Sequence, residues 1–243
     1  RFLVTSCVCF SVSGRPIYIP YPLRRQRQMG IRDRENGEDV FLAANCASCH
    51  GVEGDPTILA GGQKIETKFG TLYSPNITTD ADHGIGNWNN DQFLNAVLLG
   101  QKPNGGMYYG AVFPFASYAY MRPQDALDLR GYMESLSSSD APSKPHEVNF
   151  ANAWVLDGWT TEPVELDMQS APQLARGQYL VEALGYCAEC HTPRLNGIGF
   201  KNDRDQERAF EGESGLLGGY APNITATRLG LSPIHIPEPT RPY

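Results

Sequence analysis

Long apolar runs, basic residues and cysteine are all scarce in this sequence of 243 residues. No run of about 20 apolar residues occurs, so no segment has the length and hydrophobicity that a membrane-spanning helix requires. Lys and Arg number 20 against 27 Asp and Glu, an acidic balance that argues against nucleic acid as a partner. Only six cysteines are present, and four of them lie in two short motifs. The other two, Cys7 and Cys9, lie close to the start, so no cysteine is left in the body of the chain for a structural disulfide.

The two ends differ in composition from the rest. Residues 1–34 are irregular and hold seven of the 20 Lys and Arg, and residues 230–243 are rich in proline. The peptides MGIRDR and LSPIHI back-translate to one library-adapter sequence that is translated once in each direction. We therefore predict that residues 1–34 are a non-native or disordered arm and that residues 230–243 are a non-native tail. A genuine disordered arm and tail is the alternative.

An internal repeat organises the remaining chain. The two copies contain, in the same order, CASCH (46–50), LAGG (59–62) and SPNIT (74–78), then CAECH (187–191), LLGG (216–219) and APNIT (221–225). The repeat predicts a first domain at residues 35–141 and an incomplete second domain at residues 172–229, joined by a connecting segment at residues 142–171. We expect Trp154 and Trp159 of the connecting segment to pack between the domains.

Helical periodicity precedes each motif, and the expected fold class is all-α. Before CASCH, one face carries Val40, Phe41 and Ala44. Before CAECH, one face carries Tyr179, Leu180, Ala183 and Leu184. Gly37 lies four positions before Phe41 and Gly177 four positions before Val181, and the lack of a side chain at each glycine would let another helix cross closely.

Two more helices are expected in the first domain. One covers residues 91–99, and the other begins at Pro123, a residue favoured at the first helical position. In the second of these, Leu127, Tyr132 and Leu136 are predicted to face inward.

Cys-x-x-Cys-His is typical of c-type haem attachment. On one helical turn the two sulfurs of Cys46 and Cys49 reach the edge of a porphyrin while the adjacent imidazole of His50 reaches the iron. The second motif repeats the pattern with Cys187, Cys190 and His191, so two haem c groups are predicted. A zinc site would require the two pairs to converge on one ion across the repeat. A thioredoxin-like dithiol would require a βαβ setting, which the sequence does not indicate.

Each haem iron needs a second axial ligand besides His50 or His191. In the first domain the candidates are Met107, Met121 and Met133. Met133 lies inside a predicted helix and Met107 in a glycine loop, whereas Met121 immediately precedes the last helix. We therefore predict Met121 as the distal ligand, a thioether that favours ferrous iron.

The other candidate residues have weaker patterns. The counterpart of Met121 in the second copy would fall beyond residue 243, and His235, in the predicted tail, is not expected to replace it. His83 and His146 lie in loops and are expected to have surface or packing roles. Asn76 and Asn223 are predicted to brace the backbone on the haem side of each domain.

Four segments carry a resemblance to a known family: residues 69–88, 108–121, 152–159 and 176–194. They resemble the cytochrome c subunits of membrane-bound bacterial alcohol, aldehyde and gluconate dehydrogenases. The resemblance implies two cytochrome c-like domains in tandem, the second truncated. In this family the methionine just before the last helix of a haem domain is the distal ligand, which also implies this role for Met121. A third haem and a C-terminal membrane anchor are further features of the family.

The implied function is electron transfer without catalysis by this chain, so no catalytic residue is assigned. Electrons would pass from a flavin or quinoprotein dehydrogenase subunit towards quinone or a downstream oxidase. Because haem is attached after export, the implied location is the periplasm, in association with the inner membrane. Two alternatives stay open: a catalytic dihaem cytochrome, for example one that oxidises thiosulfate, and a free dihaem electron shuttle.

Overall fold

The structure is a computed structural model of the chain. It describes residues 8–12, 15–19, 29–67, 70–110, 112–148, 166, 171–195, 204–214 and 219–226. The predicted roles of Trp154, Trp159 and His235 fall outside these residues.

Seven α-helices and seven strands are described in these ranges. The α-helices are α1 (Met29–Ala43), α2 (Cys46–His50), α3 (Asn90–Leu99), α4 (Phe115–Tyr118), α5 (Pro123–Met133), α6 (Pro172–Tyr179) and α7 (Cys187–His191). A π-helical turn (Leu180–Leu184) continues α6, and a 3₁₀ turn covers Gln206–Arg208. The strands are β1 (Val8–Val12), β2 (Arg15–Ile19), β3 (Lys64–Thr67), β4 (Gly70–Tyr73), β5 (Glu147–Val148), β6 (Glu213–Ser214) and β7 (Tyr220–Ala221).

The crossing of α1 over α5 forms the centre of the helical core. Val40, Phe41 and Ala44 are all buried, as the periodicity predicts. Gly37 makes the close crossing possible, since a Cβ at this position would lie 2.1 Å from the carbonyl oxygen of Asp128. The prediction of a close approach at Gly37 is therefore confirmed.

The inward face of α5 differs from the predicted one. Leu127, Tyr132 and Leu136 are only partly buried against the core. The fully buried positions of the helix are Asp125, Ala126, Asp128, Leu129 and Met133. Asp125 and Asp128 can be buried because they accept hydrogen bonds from side chains inside the protein, which a hydrophobic pattern does not reveal.

Local sequence signals define the ends of α3. Asn89 accepts a hydrogen bond from the backbone of Gln92, whose side chain accepts one from the backbone of Asn89, a capping box. Gly100 ends the helix in the left-handed conformation at φ 68°. The predicted helix at residues 91–99 is thus confirmed to within one residue.

Short antiparallel strands accompany the helices. β3, β4 and β5 form one sheet in that order, while β1 pairs with β2 and β6 with β7. The all-α prediction is therefore correct for the helical core, but it omits the short strands between the helices. The strands β3 and β4 were not predicted because each has only four residues, too few for a clear alternating pattern.

The predicted domain boundaries cut across contacts seen in the structure. β5, at Glu147–Val148, lies in the predicted connecting segment and pairs with β4 of the first domain. Tyr179, Ala183 and Leu184, from the predicted second domain, belong to the same hydrophobic cluster as α1, α3 and α5. Helix α6 does begin at Pro172, the predicted start of the second domain. The division into two tandem domains and the non-native origin of residues 1–34 and 230–243 stay predictions.

The described part of the chain contains no helix with the length and hydrophobicity needed to span a membrane.

Candidate functional site: two Cys-x-x-Cys-His helices

The first motif forms a short helix of its own, α2. Asn45 separates it from α1 and adopts the left-handed conformation, with φ 53° and ψ 38°. Asn is one of the few residues that tolerate this conformation. The turn directs Cys46, Cys49 and His50 towards one cavity.

His50 is oriented by a backbone carbonyl group. Its Nδ1 lies 2.8 Å from the carbonyl oxygen of Pro75. In the neutral ring this nitrogen carries the proton and donates a hydrogen bond to the carbonyl, which leaves Nε2 free to bind a metal. Burial lowers the pKa of His50, and this favours the neutral form that ligation requires.

Asn76 holds the backbone next to Pro75. It is buried, and its Nδ2 donates to the carbonyl oxygens of Ser139 and Ala141, both at 2.8 Å. Its Oδ1 accepts from the backbone N–H of Thr78 at 2.9 Å. The prediction that Asn76 braces this side of the site is confirmed.

An apolar cavity of about 240 Å³ lies beside α2. Its wall contains the motif residues Cys46, Cys49 and His50 together with Met121 and Met133. Much of the remaining wall is apolar: Ile77, Ile85, Trp88, Phe93, Val97, Phe113 and Leu129. Two thiols, an imidazole and a thioether on an apolar surface are the groups that a covalently attached haem requires, so these residues fit haem c.

The structure separates the three candidate methionines. Met121 is 3% exposed and lines the cavity, and its backbone N–H donates to the carbonyl oxygen of Tyr118 at 2.8 Å. Met133 is also buried and also lines the cavity, whereas Met107 does not contribute to the wall. Two thioethers therefore lie at the site, and the choice of Met121 as distal ligand stays a prediction.

The rim of the cavity contains polar residues that sequence reasoning missed. The ammonium group of Lys102 lies 5.6 Å from the ring centroid of Tyr108 and 5.1 Å from that of Tyr109. His146 also lines the cavity and accepts a hydrogen bond from the backbone N–H of Tyr73 at 3.1 Å. Lys102 follows a helix-ending glycine and belongs to no recognisable motif. Its position at the cavity is therefore visible only in the folded chain.

His83 is a surface residue, as expected. Its Nδ1 lies 3.6 Å from a carboxylate oxygen of Asp80, and both side chains are partly exposed. The surface position expected for His146 is also observed, although its contact with the cavity was not predicted.

The second motif repeats the local geometry of the first. It forms α7, and Tyr186 before it is left-handed, with φ 42° and ψ 30°. Nδ1 of His191 lies 2.8 Å from the carbonyl oxygen of Pro222. The backbone N–H of Gly212 donates to the carbonyl oxygen of His191 at 2.8 Å, as that of Gly61 does to the first motif's histidine.

The asparagine of the second repeat has part of the role of the first. Oδ1 of Asn223 accepts from the backbone N–H of Thr225 at 2.9 Å and from its hydroxyl at 2.7 Å. The equivalence does not extend to the glycine before each motif. A Cβ on Gly177 would meet no atom of the described residues within 4 Å, so the close crossing predicted there is not observed in this part of the chain.

Buried charges attach the second motif to the first domain. Oε1 of Glu189, inside the second motif, accepts from the hydroxyl of Ser117 at 2.8 Å. The same carboxylate pairs with Arg194, and it lies 3.9 Å from Arg204. All three charged side chains are almost fully buried. The two arginines therefore fix the Glu189 carboxylate, and its hydrogen bond to Ser117 links α7 to α4.

These features define a class of protein. A Cys-x-x-Cys-His helix with a carbonyl-bonded histidine, facing an apolar cavity that contains a buried methionine, is the arrangement of a c-type haem domain.

Comparison with known proteins gives the family. The cytochrome c family model matches residues 34–137. The chain is 40% identical over 219 residues to a dihaem cytochrome c-type protein of Cereibacter sphaeroides. The aligned region covers 85% of this chain and 72% of that protein. The chain belongs to the cytochrome c family, whose cofactor is covalently bound haem c.

Other relatives are subunits of dehydrogenases. The gluconate 2-dehydrogenase cytochrome c subunit of Pantoea cypripedii is 37% identical over 66% of this chain and 38% of its own length. The cytochrome c subunit of the quinone-dependent alcohol dehydrogenase of Gluconobacter oxydans is 33% identical over 77% of this chain and 40% of its own length. The chain thus spans about two fifths of the length of these two subunits.

Proposed function

We propose that this protein carries two haem c groups and transfers single electrons from a periplasmic dehydrogenase subunit towards quinone or another respiratory acceptor. The observation that carries the proposal is the repeated site. Both motifs form a short helix after a left-handed residue, and in both a proline carbonyl oxygen lies 2.8 Å from Nδ1 of the histidine.

The proposed attachment uses all four motif cysteines. Cys46 and Cys49 would bind the first haem and Cys187 and Cys190 the second, through thioether bonds. His50 and His191 would be the proximal ligands, oriented by their carbonyl partners. Bound haem supplies an iron that changes between ferrous and ferric states. The chain itself orients the imidazoles and excludes water from the first iron site.

Met121 is proposed as the distal ligand of the first haem. It is buried in the cavity wall and precedes α5, so a stiff segment holds its sulfur. A thioether ligand and an apolar surrounding both favour the ferrous state, since the ferric state carries one more positive charge. The positive charge of Lys102 at the rim acts in the same direction.

The proposed partner follows from the relatives and from the charge of the chain. Several relatives bear the name of a dehydrogenase cytochrome subunit, and a net charge of −7 favours docking on a basic face. A periplasmic location, close to the inner membrane, is part of this proposal. The dihaem relative, whose name includes no dehydrogenase, favours a free electron shuttle as the second candidate.

Reduction by a dehydrogenase separates the two candidates. The oxidised protein would be mixed with a purified flavin or quinoprotein dehydrogenase subunit and its substrate, and the ferrous absorption band followed with time. The proposal predicts rapid reduction that slows as salt is added, because the contact is electrostatic. Reduction no faster with the dehydrogenase than with an unrelated flavoprotein would favour the free shuttle.

A further inference from the structure

The residue before each motif is the point at which the two sites meet. Asn45 precedes the first motif and Tyr186 the second, and both are left-handed. This conformation suits Asn but is unfavourable for a large aromatic residue. Backbone strain at a functional position is maintained only when the surrounding contacts require it, so the contacts of Tyr186 indicate why a Tyr is placed here.

The ring of Tyr186 lies in the wall of the first cavity. It shares that wall with Cys46, Cys49 and His50, although it is the direct neighbour of Cys187 in the chain. The second motif therefore contributes a side chain to the site of the first.

A second tyrosine holds this ring in place. The rings of Tyr186 and Tyr118 meet edge to face, with centroids 6.1 Å apart and planes at 86°. The hydroxyl of Tyr118 donates to the carbonyl oxygen of Ala44 at 3.0 Å. The contacts thus run without a gap from the end of α1, through two rings, to the start of α7.

Polar contacts on both sides prevent Tyr186 from moving away. Asn45 donates a hydrogen bond to its phenol, while burial raises the pKa of that phenol. Glu189, three residues further along the chain, is fixed to Ser117 at 2.8 Å. On the other side, the hydroxyl of Tyr179 donates to a carboxylate oxygen of Asp125 at 2.5 Å.

We propose that Tyr186 is a positioning residue that closes the first haem cavity from the second motif and thereby raises the reduction potential of the first haem. This inference rests on the proposed function, because it requires haem at Cys46 and Cys49. Water that reaches an iron site stabilises the ferric state, so removal of a covering ring lowers the potential. A residue next to the second motif would thus help to set the potential of the first haem.

The test uses Tyr186→Gly. Glycine accepts the left-handed conformation without strain, so this variant removes the ring while it relieves the backbone. A purely structural role would change stability and leave the potential unaltered. The proposal predicts instead a lower midpoint potential of the first haem in a spectroscopic redox titration. Tyr186→Phe keeps the ring, so the midpoint potential of its first haem is expected to lie close to that of the parent.

Controls assign the effect to the first haem. Tyr220 also lies in the predicted second domain but is 77% exposed, so Tyr220→Ala is expected to leave both potentials unaltered. The titration is repeated in the full chain with Cys187→Ala and Cys190→Ala, where a single redox wave reports the first haem.

The outcomes distinguish this inference from the proposed function. Haem content is measured first by the pyridine haemochrome spectrum. A chain without haem at Cys46 and Cys49 would refute the proposed function itself, whereas one haem per chain would refute only the second attachment and leave this titration valid. With the first haem in place, an unchanged potential in Tyr186→Gly would overturn the role of Tyr186, as would a Tyr186→Phe potential equal to that of Tyr186→Gly.

Discussion

Single residues decide how each histidine is presented at the two motifs. His50 and His191 both direct Nδ1 at a proline carbonyl oxygen, at 2.8 Å in each case. A carbonyl is a neutral acceptor, so it fixes the tautomer and the ring orientation without the added negative charge that a carboxylate would bring. The neighbouring Asn76 and Asn223 hold the loop that supplies this carbonyl.

The distal ligand can be tested with two methionine variants. Met121→Ala is expected to abolish the weak absorption band at the red edge of the visible spectrum that arises from charge transfer between thioether sulfur and ferric iron. Met133→Leu preserves the apolar volume of the second cavity methionine and is expected to keep the band. The visible spectrum of the oxidised protein is the measurement. A band that persists in Met121→Ala and disappears in Met133→Leu would reassign the ligand.

Asp128 predicts an unusual pH dependence of stability. Burial raises its pKa in the folded protein above the ordinary value, although Gln124 and Asn36 both donate to it at 2.7 Å. A raised folded pKa means that this group stabilises the fold at pH values below its unfolded pKa and that this contribution is lost as pH rises through the folded pKa. At neutral pH the charged Asp128 therefore costs stability.

Asp128→Asn is expected to be more stable than the parent at pH 7, with a smaller difference near pH 4. The midpoints of denaturant unfolding at the two pH values provide the comparison. Asp140 is exposed, so Asp140→Asn is the control and should behave like the parent. A variant at Asp128 that is less stable at neutral pH would show that the hydrogen bonds outweigh the cost of burial.

Among the described elements, α1 and α5 make the most extensive contact. A Cβ at Gly37 would lie 2.1 Å from the carbonyl oxygen of Asp128 and 2.9 Å from Cβ of Tyr132. Gly37→Ala is expected to destabilise the protein by about 1–3 kcal/mol, the usual cost of overpacking. Equilibrium unfolding measures the difference.

Gly131 is the matched control on the partner helix. Its added Cβ would meet no atom of the described residues within 4 Å. Gly131→Ala is expected to be neutral or to stabilise by up to about 1 kcal/mol, since Ala is the better helix former. Equal effects at the two glycines would contradict the close-crossing interpretation.

Patterns with a local cause were predictable from the sequence. Helix α1 buries Val40 and Phe41 because apolar spacing follows the helical period, and α5 begins at Pro123 because proline suits that position. The inward face of α5 could not be predicted in the same way. Its buried carboxylates depend on Asn36 and Tyr179, which are remote in sequence.

The site shows the same division between local and remote information. Spacing alone identified Cys46, Cys49 and His50 as a group, and the structure places them on one cavity. Lys102 and Tyr186 reach that cavity from separate parts of the chain. No pattern near either residue encodes the contact, so only the folded chain reveals it.

In the whole molecule, the Glu189 carboxylate of the second motif accepts a hydrogen bond from Ser117 of the first domain at 2.8 Å. Arg194 and Arg204 both face Glu189, whose side chain is 11% exposed. Replacing Glu189 removes an anionic partner from both guanidinium groups, and the loss of a buried ionic partner is costly.

Glu189→Gln is therefore expected to destabilise the protein by about 3–5 kcal/mol, as measured by equilibrium unfolding. Glu211 provides the matched control, because its pair with Arg208 is exposed on both sides. Glu211→Gln should cost less than about 1 kcal/mol, as surface pairs do. If the two variants were equally stable, the buried carboxylate of Glu189 would not stabilise the contact between α7 and α4.

The central claim is that haem is bound through thioethers at both motifs, and intact-mass spectrometry of the matured protein tests it most directly. After extraction with acidified acetone, which removes haem that is not covalently bound, the account predicts a mass equal to the polypeptide plus two haem groups. A mass equal to the polypeptide alone would contradict the account, and a single haem would contradict its second site.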